Sequence, residues 1–574
     1  MATIALPGQP AGWPARWLEP GRLIPLCAAA LLLYLTIVPL TMLVYGSFRV
    51  EGQEGLTVVN YITAYSQGRT YRLLFNSFVY ATGTALLAFA LGTSLAWIVE
   101  RTNTPLRNWF YGLSLVPIIV PGVLGTIAWI FLLSPKIGWI NTGLKAILGL
   151  DDAPFNVFSI GGMIWVEGLH LSPLVFLTMV AAFKSMDPAL EESAMMSGAS
   201  TPSTLRRVTL KLLLPAAASG LLIMFVRGLE AFEVPALIGI PGRVPVFTSE
   251  IYLSLRAFPP EFGVAGALAM GLMAISAAGV YLYHRMINRA GDAYSTVTGK
   301  AFRPRVLDLG RWRYATAAFL VVYGLVIVGL PFFILLWSSL LPFYQTPSLK
   351  GLGFFTTENY TFVLTYPRAQ LAARNSLVLA AGAATGVSAL TAVIAWITVK
   401  TRLPGRAALD LLAFLPIGIP GLVLGVSMIW LYLTFPLPIY GTIWVLIIAY
   451  VTKYLPYGMR TNSSAMVQIH RELEEAGQTS GAAWWATFIR VTLPLLRPGF
   501  MAGWIFIFVV SIRELSASVL LATSESTVLS LLIFDLFESG KQTAVAAMGV
   551  MLILSLVVVV AVVSKVSGQF GLRS

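Results

Sequence analysis

Long apolar runs, more than any motif, limit what this chain can fold into. Twelve stretches stand out, at about 23–47, 74–99, 109–133, 157–183, 215–238, 263–284, 314–340, 375–399, 409–434, 441–467, 499–522 and 543–566. Each is long enough to span a bilayer as a helix, which takes roughly 20 apolar residues. Inside hydrocarbon a segment must satisfy its own backbone N–H and C=O groups, and no run alternates polar and apolar residues as a barrel strand does. Charged residues make up 11% of the chain, against about 25% in ordinary soluble domains. The mean hydropathy is +0.80. The pattern predicts an all-α polytopic membrane protein with about 12 transmembrane helices.

The runs fall into two copies. Asn60-Tyr61, Asn76-Ser77, Ala96-Trp97-Ile98, Pro105 with Arg107, Pro117 and Pro121-Gly122 recur further along the chain. Their matches are Asn359-Tyr360, Asn375-Ser376, Ala395-Trp396-Ile397, Pro404 with Arg406, Pro416 and Pro420-Gly421, all at an offset of 299 residues. From Pro173 and Pro456 onward the offset is 283, so the second copy is sixteen residues shorter, most simply in the loop 134–156. Six spans per copy is an even number, so the copies share one orientation and form two parallel 6-helix repeats about an axis along the membrane normal. The expected organisation is a proline-rich cytoplasmic tail over 1–22, repeat 1 over 23–284, a basic linker over 285–312 and repeat 2 over 313–574. Within the third run of each copy, Pro117-x3-Pro121-Gly122 and Pro416-x3-Pro420-Gly421 should break a helix at matching depth. Proline removes an intrahelical hydrogen bond and clashes with the preceding turn. Ordinary packing kinks and a gate on a pathway are both open readings.

A net charge of +13 suggests a nucleic-acid binder only until the cations are placed. They lie in short loops between the runs. Arg285, Arg289, Lys300, Arg303, Arg305, Arg311 and Arg313 form the largest group, with Arg101, Arg107, Arg206, Arg207, Lys211, Lys400, Arg402 and Arg406 in smaller ones. Cationic loops stay in the cytoplasm. This predicts a multi-pass inner-membrane protein with both termini cytoplasmic, a lipid bilayer around it and no nucleic-acid partner. Arg49, Arg69 and Arg72 run against the bias without reversing it. The single Cys27 excludes an internal disulfide, and the run that holds it reads as a retained anchor.

Two polar loops repeat with particular fidelity. Leu190-Glu191-Glu192-Ser193, Gly198-Ala199 and Pro215 match Leu473-Glu474-Glu475-Ala476, Gly481-Ala482 and Pro498 without a gap. Asp187-Pro188 reads as an N-cap followed by proline at the first helical position. Gly198 permits a sharp turn. Thr201-Pro202 then restarts a helix with Leu205, Val208 and Leu212 on one face, a stripe repeated by Phe488, Val491 and Leu495,. Two such L-shaped protrusions suggest paired docking surfaces for a paired partner. Interfacial helices that merely tie spans together are the plainer alternative.

Glu475-Ala476-Gly477-x3-Gly481-Ala482, continuing through Leu493-Pro494 to Pro498, resembles the EAA loop of ABC-importer permeases of the type I fold. Its usual form is Glu-Ala-Ala-x3-Gly, then Leu-Pro and a further Pro. Glu192-Ser193-Ala194-x3-Gly198-Ala199 matches too, with Lys211 where Leu-Pro is expected. The resemblance covers both repeats. Two permease units fused in one chain are similar to the permeases of ferric-iron importers, with thiamine, aminoalkylphosphonate and polyamine or opine importers as relatives. The resemblance implies the type I ABC importer permease fold and a cytoplasmic ABC ATPase dimer contacted by Glu192 and Glu475. It further implies elbows shaped by Gly198 and Gly481, and a periplasmic (extracytoplasmic) solute-binding protein that delivers substrate. On this reading the chain is not an enzyme and binds no cofactor, ATP belonging to the partner. No Gly-x4-Gly-Lys-Ser/Thr loop is present, and the nearest approach is Thr298-Gly299-Lys300-Ala301,. A secondary transporter with two parallel six-helix halves is the alternative of another class. Neither it nor a channel or scaffold accounts for duplicated elbows.

Charges within the runs are candidates for a translocation path, because each costs about 3 kcal/mol unless paired or hydrated. They are Glu167, His170, Arg227, Glu230, Glu233, Lys453, Arg460, Arg513 and Glu514. Glu230, Glu233, Arg513 and Glu514 are the preferred path residues, with structural ion pairing as the competing role. Glu230 corresponds to Arg513 and His170 to Lys453, so the halves differ chemically. Arg227 and Glu230 are spaced to pair along one helix. The carboxylates suit a hard cation such as ferric iron, and a polyamine equally. Three histidines and one cysteine make no metal cluster.

Overall fold

A computed structural model describes residues 20–50, 55–66, 68–186, 188–294 and 306–569. Most of the expected tail, Asp187 of the expected N-cap and residues 295–305 of the expected linker lie outside the described residues. In the first half the principal helices are α1 (Pro20–Ser47), α2 (Gly68–Arg101), α3 (Arg107–Leu113), α4 (Gly122–Leu133), α5 (Ile160–Ser185), α6 (Pro188–Met196), α7 (Leu210–Glu230), α8 (Phe247–Arg256) and α9 (Phe262–Tyr294). The second half repeats them as α10 (Trp312–Gly324) with α11 (Leu330–Ser339), α12 (Pro367–Lys400), α13 (Arg406–Phe414), α14 (Gly421–Thr434), α15 (Ile443–Gln468), α16 (Arg471–Thr479), α17 (Leu493–Arg513), α18 (Leu529–Glu538) and α19 (Gln542–Gln569).

Among the described residues eight helices are long and apolar enough to cross a membrane, and counting each of three bent pairs as one span raises the number to eleven. The expected count of twelve is therefore not reached on length and apolarity. The missing span corresponds to α15, a 26-residue helix that carries Lys453, Arg460 and Asn462 among its apolar residues. Many of its residues, Tyr450, Tyr454 and Asn462 among them, are buried between other helices rather than turned to lipid.

The residues that recur between halves turn out to be staples. Asn60 donates to the carbonyls of Ser47 and Arg49, and Asn359 to those of Ser339 and Leu341, each tying a short helix to the end of the first span. Ser77 and Ser376 accept from the backbone N–H of Phe247 and Leu529, fixing the starts of α8 and α18. Ser159 and Thr442 cap the N-termini of α5 and α15, satisfying N–H groups that the first helical turn leaves open. Arg69, which ran against the charge bias, is paired with Glu250 at 2.8 Å, and its repeat Arg368 with Asp535 at 3.0 Å.

Each half lends its first span to the other. α1 packs on α9 of its own half and on α14 of the second, where Tyr34 and Tyr432 hydroxyls meet at 3.1 Å. Reciprocally, α11 packs on α19 and on α4, and the Tyr344 hydroxyl that follows donates to the carbonyl of Phe131 at 2.9 Å. The chain entering the second half is also fastened to the end of α2. Leu307 donates to the Arg101 carbonyl at 2.8 Å and accepts from the Asn103 N–H at 3.1 Å, while Asn103 Nδ2 donates to Asp308 Oδ1 at 2.6 Å. The Gly310 N–H, with Asn103 second, holds the Asp308 carboxyl below its ordinary pKa.

Candidate functional site

Two features of the fold carry chemistry: the elbows at one end of the bundle and a charged centre between the halves. Each elbow begins with a helix (α6 or α16) closed by glycine in the left-handed region, Gly198 at φ +87 and Gly481 at φ +86. The Gly198 N–H donates to the Met195 carbonyl and the Ala199 N–H to that of Ala194; Gly481 and Ala482 repeat this with Gln478 and Gly477. This six-to-one and five-to-two pairing satisfies the last carbonyls of a helix and calls for glycine at the reversed residue. Both glycines are exposed, as are Glu192 and Glu475.

After the turn the chain passes through a π-helical segment, Leu205–Thr209 in one copy and Phe488–Thr492 in the other. The extra residue in that turn rotates everything after it. The expected stripe of Phe488, Val491 and Leu495 is thereby corrected to Phe488, Thr492 and Leu496, which are buried, whereas Leu495 is 48% exposed. In the first copy Thr209 and Leu213 are buried in place of Val208 and Leu212. The inward threonines meet the first acid of each Glu-Glu pair. Thr209 donates to Glu191 Oε1 and Thr492 to Glu474 Oε1, both at 2.6 Å. Arg101, 1% exposed at the end of α2, holds Glu191 Oε2 at 3.1 Å. In the second half the indole N–H of Trp396 donates to Glu474 Oε1 at 3.2 Å.

At the centre, the prolines do break their helices. Val120-Pro121 and Ile419-Pro420 adopt extended dihedrals, as steric clash with the proline ring requires of the preceding residue. The segments on either side bend by 101° and 108°. Gly122 and Gly421 open the second segments and let charged side chains come close. A Cβ on Gly122 would stand 3.5 Å from the Glu233 carboxyl carbon and 3.6 Å from His170; one on Gly421 would stand 2.5 Å from Lys453 Nζ and 3.2 Å from Glu514 Oε1.

The structure gathers nearly all the sequence-predicted charges here. Lys453 pairs with Glu514 at 2.7 Å, and the Tyr454 hydroxyl donates to the other carboxylate oxygen at 3.1 Å. Arg227 lies 3.5 Å from Glu230 on the same helix and also donates to the Tyr457 hydroxyl of the other half. Arg513 crosses the interface, bonding His170 Nε2 at 3.0 Å and the Ile118 carbonyl that the broken helix leaves free. Glu230 and Arg513, equivalent by position, thus do not face each other as a pair. Glu167 and Glu233 line a cavity of ≈ 80 Å³ with His170, Pro117, Pro121 and Trp129. Arg460 is not part of the cluster and lies exposed on α15. Tyr454, Tyr457 and the Ile118 carbonyl were not anticipated; an aromatic run on a polar span was their only sequence signal. Beyond the charges, away from the elbows, Phe232, Tyr252 and Phe534 close the interface, Phe534 lying 6.2 Å from each of the other rings. Among the described residues no group of three or more His, Cys, Asp or Glu side chains is placed to hold a metal ion.

Helical halves in register, each folded round a broken span and a share of the buried charge, define a two-unit membrane transport protein. The family of binding-protein-dependent transport system inner membrane components matches residues 61–288 and 384–567, and the chain belongs to that family. A ferric transport system permease protein of Actinobacillus pleuropneumoniae is 27% identical over 542 residues, covering 93% of this chain and 77% of that one. A putative ferric transport system permease protein of Haemophilus influenzae is 26% identical, covering 88% and 78%. A sulfate transport system permease protein of Escherichia coli is 27% identical over 227 residues, covering 37% of this chain and 82% of its own.

Proposed function

We propose that this chain is the membrane permease of an ATP-driven importer that takes ferric iron from an extracytoplasmic solute-binding protein. The observation that carries the reading is the duplicated elbow. Two identical turns stand at equivalent places of two halves, exposing Glu192, Gly198, Glu475 and Gly481, as a surface built for a two-fold partner would. On this reading both elbows and both termini face the cytoplasm, where the cation-rich loops belong. An ABC ATPase dimer docks there and hydrolyses the ATP. Ferric iron is favoured because the relatives bearing that name match the fused length of the chain, whereas the sulfate relative matches a fraction of it. Carboxylates at Glu167, Glu230, Glu233 and Glu514 suit passage of a hard cation, and cross-half contacts beside them give the halves something to break when they rotate.

The test is reconstitution of the chain in liposomes with its ATPase and binding protein. ATP-dependent accumulation of radiolabelled ferric iron is expected, and Glu192→Arg with Glu475→Arg should abolish co-purification of the ATPase. Uptake driven by an ion gradient with no nucleotide present would sink the reading.

A further inference from the structure

We propose that Glu191 and Glu474 are the positioning residues through which each elbow moves its half of the bundle. The inference rests on the docking role given to the elbows above. At each carboxylate three separate elements meet: the elbow helix that carries the acid, the end of the long helix α2 or α12, and the π-turn leading into α7 or α17. In the first half the two oxygens divide the work, Oε1 taking the Thr209 hydroxyl at 2.6 Å and Oε2 taking Arg101 at 3.1 Å. In the second half, Thr492 at 2.6 Å and Trp396 at 3.2 Å converge on the single oxygen Oε1.

The adjacent acids therefore have opposite tasks. Glu192 and Glu475 point outward, while Glu191 and Glu474 are 9% and 8% exposed. The π-turn is what makes the joint: without its extra residue Val208 and Val491 would face the carboxylates and offer no hydrogen. Donors to a desolvated carboxylate form short, strong bonds. A joint so made passes a pull on the elbow into α2 and α12; a loose one lets the elbow swing while the bundle stays still.

The different donor sets give the halves different tolerance. Glutamine at 474 retains a carbonyl oxygen able to accept from both Thr492 and Trp396. Glutamine at 191 leaves the Arg101 guanidinium, 1% exposed, without its counter-charge. In the reconstituted complex of chain, ATPase and binding protein, Glu191→Ala and Glu474→Ala should keep the ATPase. Ferric iron transported per ATP hydrolysed should fall about tenfold, the loss of roughly one buried hydrogen bond to a charged group. Glu474→Gln should restore that ratio and Glu191→Gln should not.

An unchanged ratio in both alanine variants overturns the proposal. So does rescue by glutamine at 191 as complete as at 474. Should the alanine variants fail to fold, Thr209→Val and Thr492→Val remove only the hydroxyl donors and should lower the ratio about threefold; no change there is equally fatal. Hydrogen exchange over Arg471–Thr479, measured in detergent without the ATPase, isolates the joint from the docking. It should quicken about tenfold in Glu474→Ala and return to normal in Glu474→Gln, and identical rates in all three proteins overturn the proposal. Wild-type chain that captures no ATPase would sink the docking reading alone, leaving the exchange result to judge the joint.

Discussion

Beside Gly122 the first half places His170 and Glu233; beside Gly421 the second places Lys453, Ser516 and Glu514. His170 and Lys453 occupy equivalent positions, as do Glu233 and Ser516, so one backbone holds two sets of chemistry. The second half balances its charge internally through Lys453 and Glu514, 2.7 Å apart. The first half keeps Glu167 and Glu233 by the cavity and borrows a cation, Arg513, from across the interface. The two copies share the shape of the centre, while their charges differ and meet across the interface.

The largest effect should come from removing the borrowed cation. Arg513→Met removes the cross-half bonds to His170 and the Ile118 carbonyl and should lower stability by about 3–5 kcal/mol, the loss of roughly two buried hydrogen bonds from a charged donor. Thermal unfolding in detergent reads it, and a midpoint unchanged from wild type would mean the first half is complete by itself. Lys453→Met should cost about 3 kcal/mol by orphaning the buried Glu514 carboxylate, with most of it regained in Lys453→Met/Glu514→Leu, because that pair is closed within one half. No recovery in the double variant would show Glu514 serving the first half as well.

The elbow joints sharpen the same contrast at lower energy. Arg101→Met should cost about 3 kcal/mol by leaving Glu191 with Thr209 alone, while Trp396→Phe should cost about 1 kcal/mol, one neutral donor. Equal losses would erase the difference between the joints. Gly198→Ala and Gly481→Ala, by contrast, should each cost about 1 kcal/mol for a left-handed residue acquiring a Cβ, and unequal costs would mean the two turns are under different tension.

The smallest effect belongs to Asp308, whose carboxyl is held below its ordinary pKa by the Gly310 N–H and then Asn103. A depressed folded value contributes stability above the unfolded pKa, about 3.9, and loses it as pH falls through the folded value. Protection of the Asn103 and Leu309 amides, relative to their intrinsic exchange rates at each pH, should therefore fall below about pH 4 in wild type and be independent of pH in Asp308→Asn.

Much of this architecture could be read from residues alone. Proline pairs set at one offset announced the broken spans, and glycines six residues past a glutamate announced the elbows, because backbone constraints of this kind act locally. The π-turns were not legible, since Leu205–Thr209 and Phe488–Thr492 look like ordinary amphipathic helix until packing decides which face turns inward. For the same reason the outward Glu192 and Glu475 were favoured over their inward neighbours. The one available hint was a threonine eighteen residues after Glu191 and again after Glu474. The helix α15 was legible as the run 441–467, but not its surroundings: its tyrosines and Lys453 face other helices instead of lipid, and its polar content keeps it out of the spans counted on apolarity.

The exchange of first spans has a consequence for how such a molecule can be made. With α1 clasped by α9 and α14, and α11 by α19 and α4, the halves hold one another like linked arms. A gene cut between α9 and α10 should yield two polypeptides that still elute together, so fusion here settles stoichiometry and order of synthesis more than cohesion.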